Sequence, residues 1–165
     1  MLIPILSGPP FRIRIDDDPE KGQTVTILLA RVNGTEQIVS VDSHLIETVF
    51  EDEQFWEFSF EITVISPDDS AESFSTQDRE IAANYIPVEI RRYVMEVVCA
   101  SFRALLQKVR PEQVYRVTKA RNPDEKVLQK HHLLTQVLFD LGYSLVRDGT
   151  DPYGRTFWLF RRDGS

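Results

Sequence analysis

The chain has 165 residues, 42% of them apolar and 27% charged, with a formal net charge of −7. That balance belongs to a soluble folded domain with a core of its own and not to a disordered chain. The negative charge argues against nucleic-acid binding by the whole surface, the lack of any run of about 18 apolar residues argues against a membrane span, and the single Cys99 excludes an internal disulfide framework. Pro4, Gly8, Pro9 and Pro10 break the only apolar start, so no signal-peptide pattern forms, and one cytoplasmic domain over residues 1–165 is the expectation.

In chain order, "FRIRI" (Phe11–Ile15) alternates apolar and basic residues as a strand does, and "DDDPEKG" then predicts a turn with Pro19 and Gly22 as breakers. "TVTILLARV" (Thr24–Val32) is rich in β-formers, and "TEQIVSV" (Thr35–Val41) returns after Asn33-Gly34, a dipeptide suited to a two-residue hairpin. "SHLIETVFEDE" (Ser43–Glu53) fits either a short helix capped by Ser43 or a connecting excursion. "WEFSFEITVI" places Trp56, Phe58, Phe60, Ile62 and Val64 on one face and polar residues on the other, the pattern of a half-buried strand. Ser66–Glu80 is polar and turn-rich and reads as a loop.

From Pro87 to Val109, Ile90, Val94, Val97, Ser101, Leu105 and Val109 fall near one stripe of a single long helix, stopped by Pro111. Val114–Ala120 predicts a strand. Asn122–Asp124 caps a second helix running to Leu141, with Val127, His131, Leu134 and Leu138 on its apolar face and Gly142 just past its end. Two strands around "GTDPYG" close the chain. The result is an α+β domain with a mostly antiparallel twisted sheet, order β-β-β-β-α-β-α-β-β, and two main helices.

Glu57–Arg162 resembles the later part of the GNAT acyltransferase fold, in which a strand feeds a phosphate-gripping helix, then a strand, a further helix and a closing pair of strands. "VLFDLGY" (Val137–Tyr143) is similar to that family's "LYEKLGF" helix ending, and "LVRDGTDPYGRTFWLFRR" resembles its terminal hairpin. The resemblance implies acetyl-CoA as cofactor and acyl transfer as activity. Two features of the family are missing. Its glycine turn for the coenzyme A pyrophosphate falls on "NYIPVEIRRYV", which holds no glycine, and its tyrosine general acid falls on Leu138.

Arg91 and Arg92 are the candidate anion clamp at the start of the Pro87 helix, opposed by the simpler reading of a solvated helix edge. His131 and His132 point about 100° apart on a helix and cannot chelate one ion together; with His44 as the only other histidine, no metal site is expected. His131 reads as a packed, hydrogen-bonded histidine and Cys99 as a small buried thiol. Asp16–Asp18 lack the spacing of a calcium loop, and Asp148, Asp151, Tyr153 and Arg155 read as turn chemistry.

Met1–Ile90 carries 18 acidic and 5 basic residues against 8 and 14 over Arg91–Ser165, an asymmetry that could serve a protein partner or self-association. A non-catalytic accessory or interaction protein of bacterial type, without cofactor, is the first expectation. The alternatives are a divergent acyl-CoA-dependent N-acyltransferase using Arg91 and Arg92, and a small-ligand sensor binding where the sheet splays.

Overall fold

Long alternating segments pair into one antiparallel sheet because each must bury its apolar face and satisfy its backbone at the same time. In the structure, a computed structural model that describes residues 2–68, 70–74 and 84–165, the strands are β1 (Leu2–Pro4), β2 (Ile15–Asp18), β3 (Gly22–Val32), β4 (Ile38–Phe50), β5 (Glu53–Ile65), β6 (Ala71–Phe74), β7 (Gln113–Val117), β8 (Tyr143–Thr150) and β9 (Thr156–Arg162). The helices are α1 (Val88–Arg91), α2 (Val94–Val109) and α3 (Glu125–Asp140). The fold is α+β, with strand order β1-β3-β4-β5-β7-β9-β8; β2 also pairs with β3, and β6 with β5. All pairings are antiparallel except β5–β7. Among the described residues no helix is long and apolar enough to cross a membrane.

Both long helices cover one face. Val97, Val98, Phe102 and Leu105 of α2 join Val25, Val41, Leu45, Phe58 and Ile62 of the sheet, with the Phe58 and Phe102 rings stacked at 4.0 Å. Leu134 and Leu138 of α3 pack into the same cluster with Trp158 and Phe160 of β9. Alternate residues of β7 and β9 point to the other face, where Tyr115, Phe157 and Leu159 join Phe55 and Phe50 in a smaller aromatic cluster. The end of the β4–β5 hairpin reaches this cluster, and Glu51 there meets Arg147 of β8 at 2.6 Å.

Several local expectations are corrected. Phe11–Arg14 is not a strand; β2 lies on Ile15–Asp18 instead, held by its ladder to Gly22–Val25. Gly22 is needed there, since at φ +77° a Cβ would run into the Leu45 carbonyl. The Asn33-Gly34 connection is not a two-residue turn: β4 begins only at Ile38, and the Val32 N–H bonds the Gln37 carbonyl. The two-residue hairpin is Glu51-Asp52, both at positive φ, between paired Phe50 and Glu53. Ser43–Phe50 is the second half of β4, neither helix nor excursion, because it pairs residue for residue with β5. Part of the Ser66–Glu80 loop is β6; residues 69 and 75–80 lie outside the described residues.

The Pro87–Val109 helix is broken. The Tyr93 N–H bonds the Ile90 carbonyl, three residues back, so the chain tightens at Arg92–Tyr93 and restarts as α2, with the Tyr93 ring against Gly8. The second helix matches its signals: Asp124 Oδ1 accepts from the Val127 N–H at 2.9 Å, and Gly142 takes φ +80° just after the end.

Candidate functional site

β5 and β7 run parallel but pair at only two positions, Trp56 with Val114 and Glu57 with Tyr115, and then diverge. β6 joins the same edge of β5 only from Ile62 onward. Between those pairings the sheet opens into a wedge. Its cavity, about 140 Å³, is lined by Glu57–Phe60 of β5, Arg116–Lys119 at the end of β7, His131 and Leu134 of α3, and Arg155. That is about ten times the ~10–15 Å³ a single water needs, and close to the size of an engineered cavity that accepts benzene.

Arg116 is the chemical centre of the wedge. It is 1% exposed, and alternation along β7 puts it on the helix-covered face beside Val114 and Thr118. Its Nη2 donates to the His131 carbonyl at 2.9 Å and to Thr135 Oγ1 at 3.2 Å. The guanidinium lies over the rings of Trp158, 5.2 Å from its centroid, and Phe160, at 5.5 Å. Nε and Nη1 have no acceptor, and no carboxylate pairs with this side chain among the described residues. Burial pulls its pKa well down from the usual arginine range, to about 9, still charged at neutral pH. Arg116 is thus a buried, charged side chain that lines the cavity and has two unpartnered nitrogens.

His131 stands beside it. Its ring stacks on Trp158 at 4.8 Å, and its Nδ1 is buried without a partner. Burial first, and then the Arg116 charge, drive its pKa to about 3, so the imidazole is neutral and can donate one hydrogen bond without adding charge. The expectation of a packed histidine holds for the ring, but it is not hydrogen-bonded at Nδ1 and it faces a cavity. Glu57, half-buried at the wedge mouth, has its pKa raised by burial and held back by Arg155. Arg155 is itself tied to Asp151 at 2.7 Å, and Asp151 also accepts from the Tyr153 and Arg155 N–H groups.

On the open face a separate groove of about 240 Å³, lined by Lys21, His44, Ile46, Glu61 and Lys119, borders the wedge and shares Ser59, Phe60 and Lys119 with it. His44 Nε2 lies 3.6 Å from Glu61 Oε1, longer than a hydrogen bond, and burial lowers the His44 pKa although Glu61 opposes it.

The residues singled out from sequence lie elsewhere. Arg91 Nε donates to the Ile86 carbonyl at 2.9 Å, and Arg92 bonds the Tyr93 hydroxyl at 2.7 Å and stacks on its ring. Ile86 and Ile90 are buried at that helix start, and Leu138 is fully buried. Cys99 is half-buried and its pKa is raised by burial, against an opposing pull from Arg116. Asp18 caps the turn after β2 by accepting from the Glu20 and Lys21 N–H groups. Among the described residues no group of three or more His, Cys, Asp or Glu is placed to hold a metal ion. Arg116 was missed, although "VYRVT" carries a signal for it: period-two alternation puts an arginine in register with Val114. Set against known protein families, curated proteins and solved structures, the chain matches none.

Proposed function

We propose that this chain is a non-catalytic, ligand-sensing accessory protein on a GNAT-like scaffold, and that its ligand is a small carboxylic acid held in the β5–β7 wedge. One observation carries the reading: Arg116 is charged, wholly buried and without an acid partner, on the wall of a cavity larger than water requires. Keeping an uncompensated charge inside a protein costs stability, and an anionic ligand supplies the missing partner. The walls formed by Phe58, Phe60 and Leu134 suit the hydrocarbon part of such an acid.

A carboxylate fits better than a phosphate. Arg155 is tied to Asp151, Lys119 is exposed and His131 is neutral, so the one buried uncompensated charge is that of Arg116; a carboxylate balances it, and a phosphate group carries up to two charges. The run β5, β6, α1–α2, β7, α3, β8, β9 supports the GNAT-like scaffold, since apart from the short strand β6 it repeats the order of strand, helix, strand, helix and closing hairpin. Less supports acyl transfer from acetyl-CoA. The helix start that would grip the pyrophosphate is filled by Ile86 and Ile90, Arg91 is turned onto a backbone carbonyl, and Leu138 has no proton to give.

The test is calorimetric titration of the intact chain with hexanoate, phosphate and acetyl-CoA, repeated on Arg116→Met. Binding of hexanoate, lost in Arg116→Met, is the expected result. Hexanoate binding that survives the substitution, or binding of acetyl-CoA alone, would overturn the reading.

A further inference from the structure

Two aromatic rings and a neutral imidazole line the wedge together with Arg116: those of Phe58, Phe60 and His131, with Leu134 completing the apolar wall. Neighbours outside the cavity hold the rings in place. Phe58 stacks on Phe102 of α2 at 4.0 Å, and His131 stacks on Trp158 of β9 at 4.8 Å. Phe58 and Phe60, two residues apart on β5, share a face, with ring centroids 6.3 Å apart and planes 32° from parallel. Glu57 also lines the cavity, but the charge it answers is that of Arg155. The space is about 140 Å³, and an engineered cavity of about 150 Å³ lined by Leu, Ile and Phe takes up benzene. It has room for one six-membered ring and not for two fused ones.

We propose that the ligand is an aromatic monocarboxylate of the size of benzoate, its carboxylate on Arg116 and its one ring against Phe58, Phe60 and Leu134. The assignment rests on the reading of the wedge as a carboxylate site and adds the chemistry of the body behind the charge. A cavity walled by rings favours a ring, because aromatic pairs in offset or edge-to-face contact gain more than the area they bury. A saturated ring of the same size buries similar area without that gain. A flexible chain such as hexanoate must also freeze several bonds on entry, whereas a benzoate ring brings its carboxylate already placed. A second fused ring would have to leave the apolar wall. The other long side chains lining the wedge, Glu57, Lys119 and Arg155, are charged and offer it little apolar cover.

The experiment is calorimetric titration of the intact chain with benzoate, cyclohexanecarboxylate, hexanoate and 2-naphthoate, repeated on Arg116→Met and Phe60→Leu. Phe60 is only partly buried, and melting curves check that its variant folds; if it does not, the four acids on the parent chain decide by themselves. Benzoate is expected to bind about threefold more tightly than cyclohexanecarboxylate and about tenfold more tightly than hexanoate. The naphthoate should bind more weakly than benzoate by about tenfold or more. Phe60→Leu should shrink the ratio between benzoate and the cyclohexane acid, and Arg116→Met should abolish binding of every acid. Equal affinity for those two acids, an unchanged ratio in Phe60→Leu, or naphthoate binding as tight as that of benzoate would overturn the aromatic assignment and leave the wedge a site for small carboxylates. Binding that survives Arg116→Met, or binding of none of the acids, would overturn both readings.

Discussion

Replacing Arg116 with methionine should abolish ligand binding and, against the usual effect of a core substitution, stabilise the fold. Burial lowers the guanidinium pKa to about 9, so the charged form bears a cost on the order of a few kcal/mol. The sign follows from proton binding. Below pH 9 both folded and unfolded chains hold the proton, so the whole cost weighs on the fold at neutral pH; only above about pH 9 does rising pH relieve it. Methionine fills similar space against Trp158 and Phe160 and carries no charge. Little is orphaned by the change, because the His131 carbonyl still accepts from Thr135 Oγ1 at 3.1 Å. Set against the loss of two hydrogen bonds and two cation–π contacts, the net gain should lie within the 1–4 kcal/mol typical of replacing buried ions by apolar groups, or about 3–12 °C in Tm for a chain of this size. Thermal and urea melts at pH 7 without added acid measure it. A fall of several degrees would refute the reasoning, for it would mean that the bonds to α3 outweigh the buried charge. Added ligand provides the second readout: the parent chain should gain about 2.7 kcal/mol at a hundredfold excess over Kd, and Arg116→Met nothing.

His131 stays neutral in the folded chain down to about pH 3, whereas the unfolded chain takes up that proton near 6.5, so stability should fall as pH drops through this window. Between pH 7 and pH 5 the loss due to His131 is at most about 2 kcal/mol; urea midpoints of His131→Gln should show a smaller acid loss than the parent, and an equal loss would refute the assignment. Burial of the Cys99 thiol, which raises its pKa, predicts slow labelling by a thiol reagent in the native state and fast labelling in urea; equal rates would show an open thiol. At the start of α1, titration at physiological ionic strength should find no low-micromolar acetyl-CoA binding that Arg91→Ala or Arg92→Ala abolishes. Such binding would restore the transferase reading.

Local signals sufficed where a residue's environment is set by its near neighbours. The alternation of Trp56–Val64 and the capping geometry of Asp124 and Gly142 need only a few adjacent positions to act. They failed where the deciding partner is distant in sequence. "IDDD" has little strand character of its own and becomes β2 only because β3 offers it a ladder. Ser43–Phe50 is drawn into β4 by its pairing along the length of β5. Glu51 and Asp52 adopt positive φ without glycine, at a turn whose position that same register dictates. The break at Arg92–Tyr93 leaves the apolar stripe of the helix intact, so periodicity carries no trace of it.

The site follows the same rule, and the two arginine positions make the contrast concrete. Arg91 and Arg92 attract notice because a helix start and two adjacent charges are visible in a few letters, yet their side chains are spent on the Ile86 carbonyl and the Tyr93 ring. Arg116 is a single letter in an apolar strand, and alternation alone can say only that it faces inward. What gives it chemistry is the divergence of β5 from β7 beyond Tyr115, which opens space beside it, and the placement of α3, which seals it from solvent without offering an acid. Neither is local. Stability by itself gives no reason to hold a guanidinium there, since an apolar side chain of similar length would fit against Trp158 and Phe160 at lower cost. A charge that costs the fold stability, set beside a cavity, is the reason we propose that the cavity binds an anion.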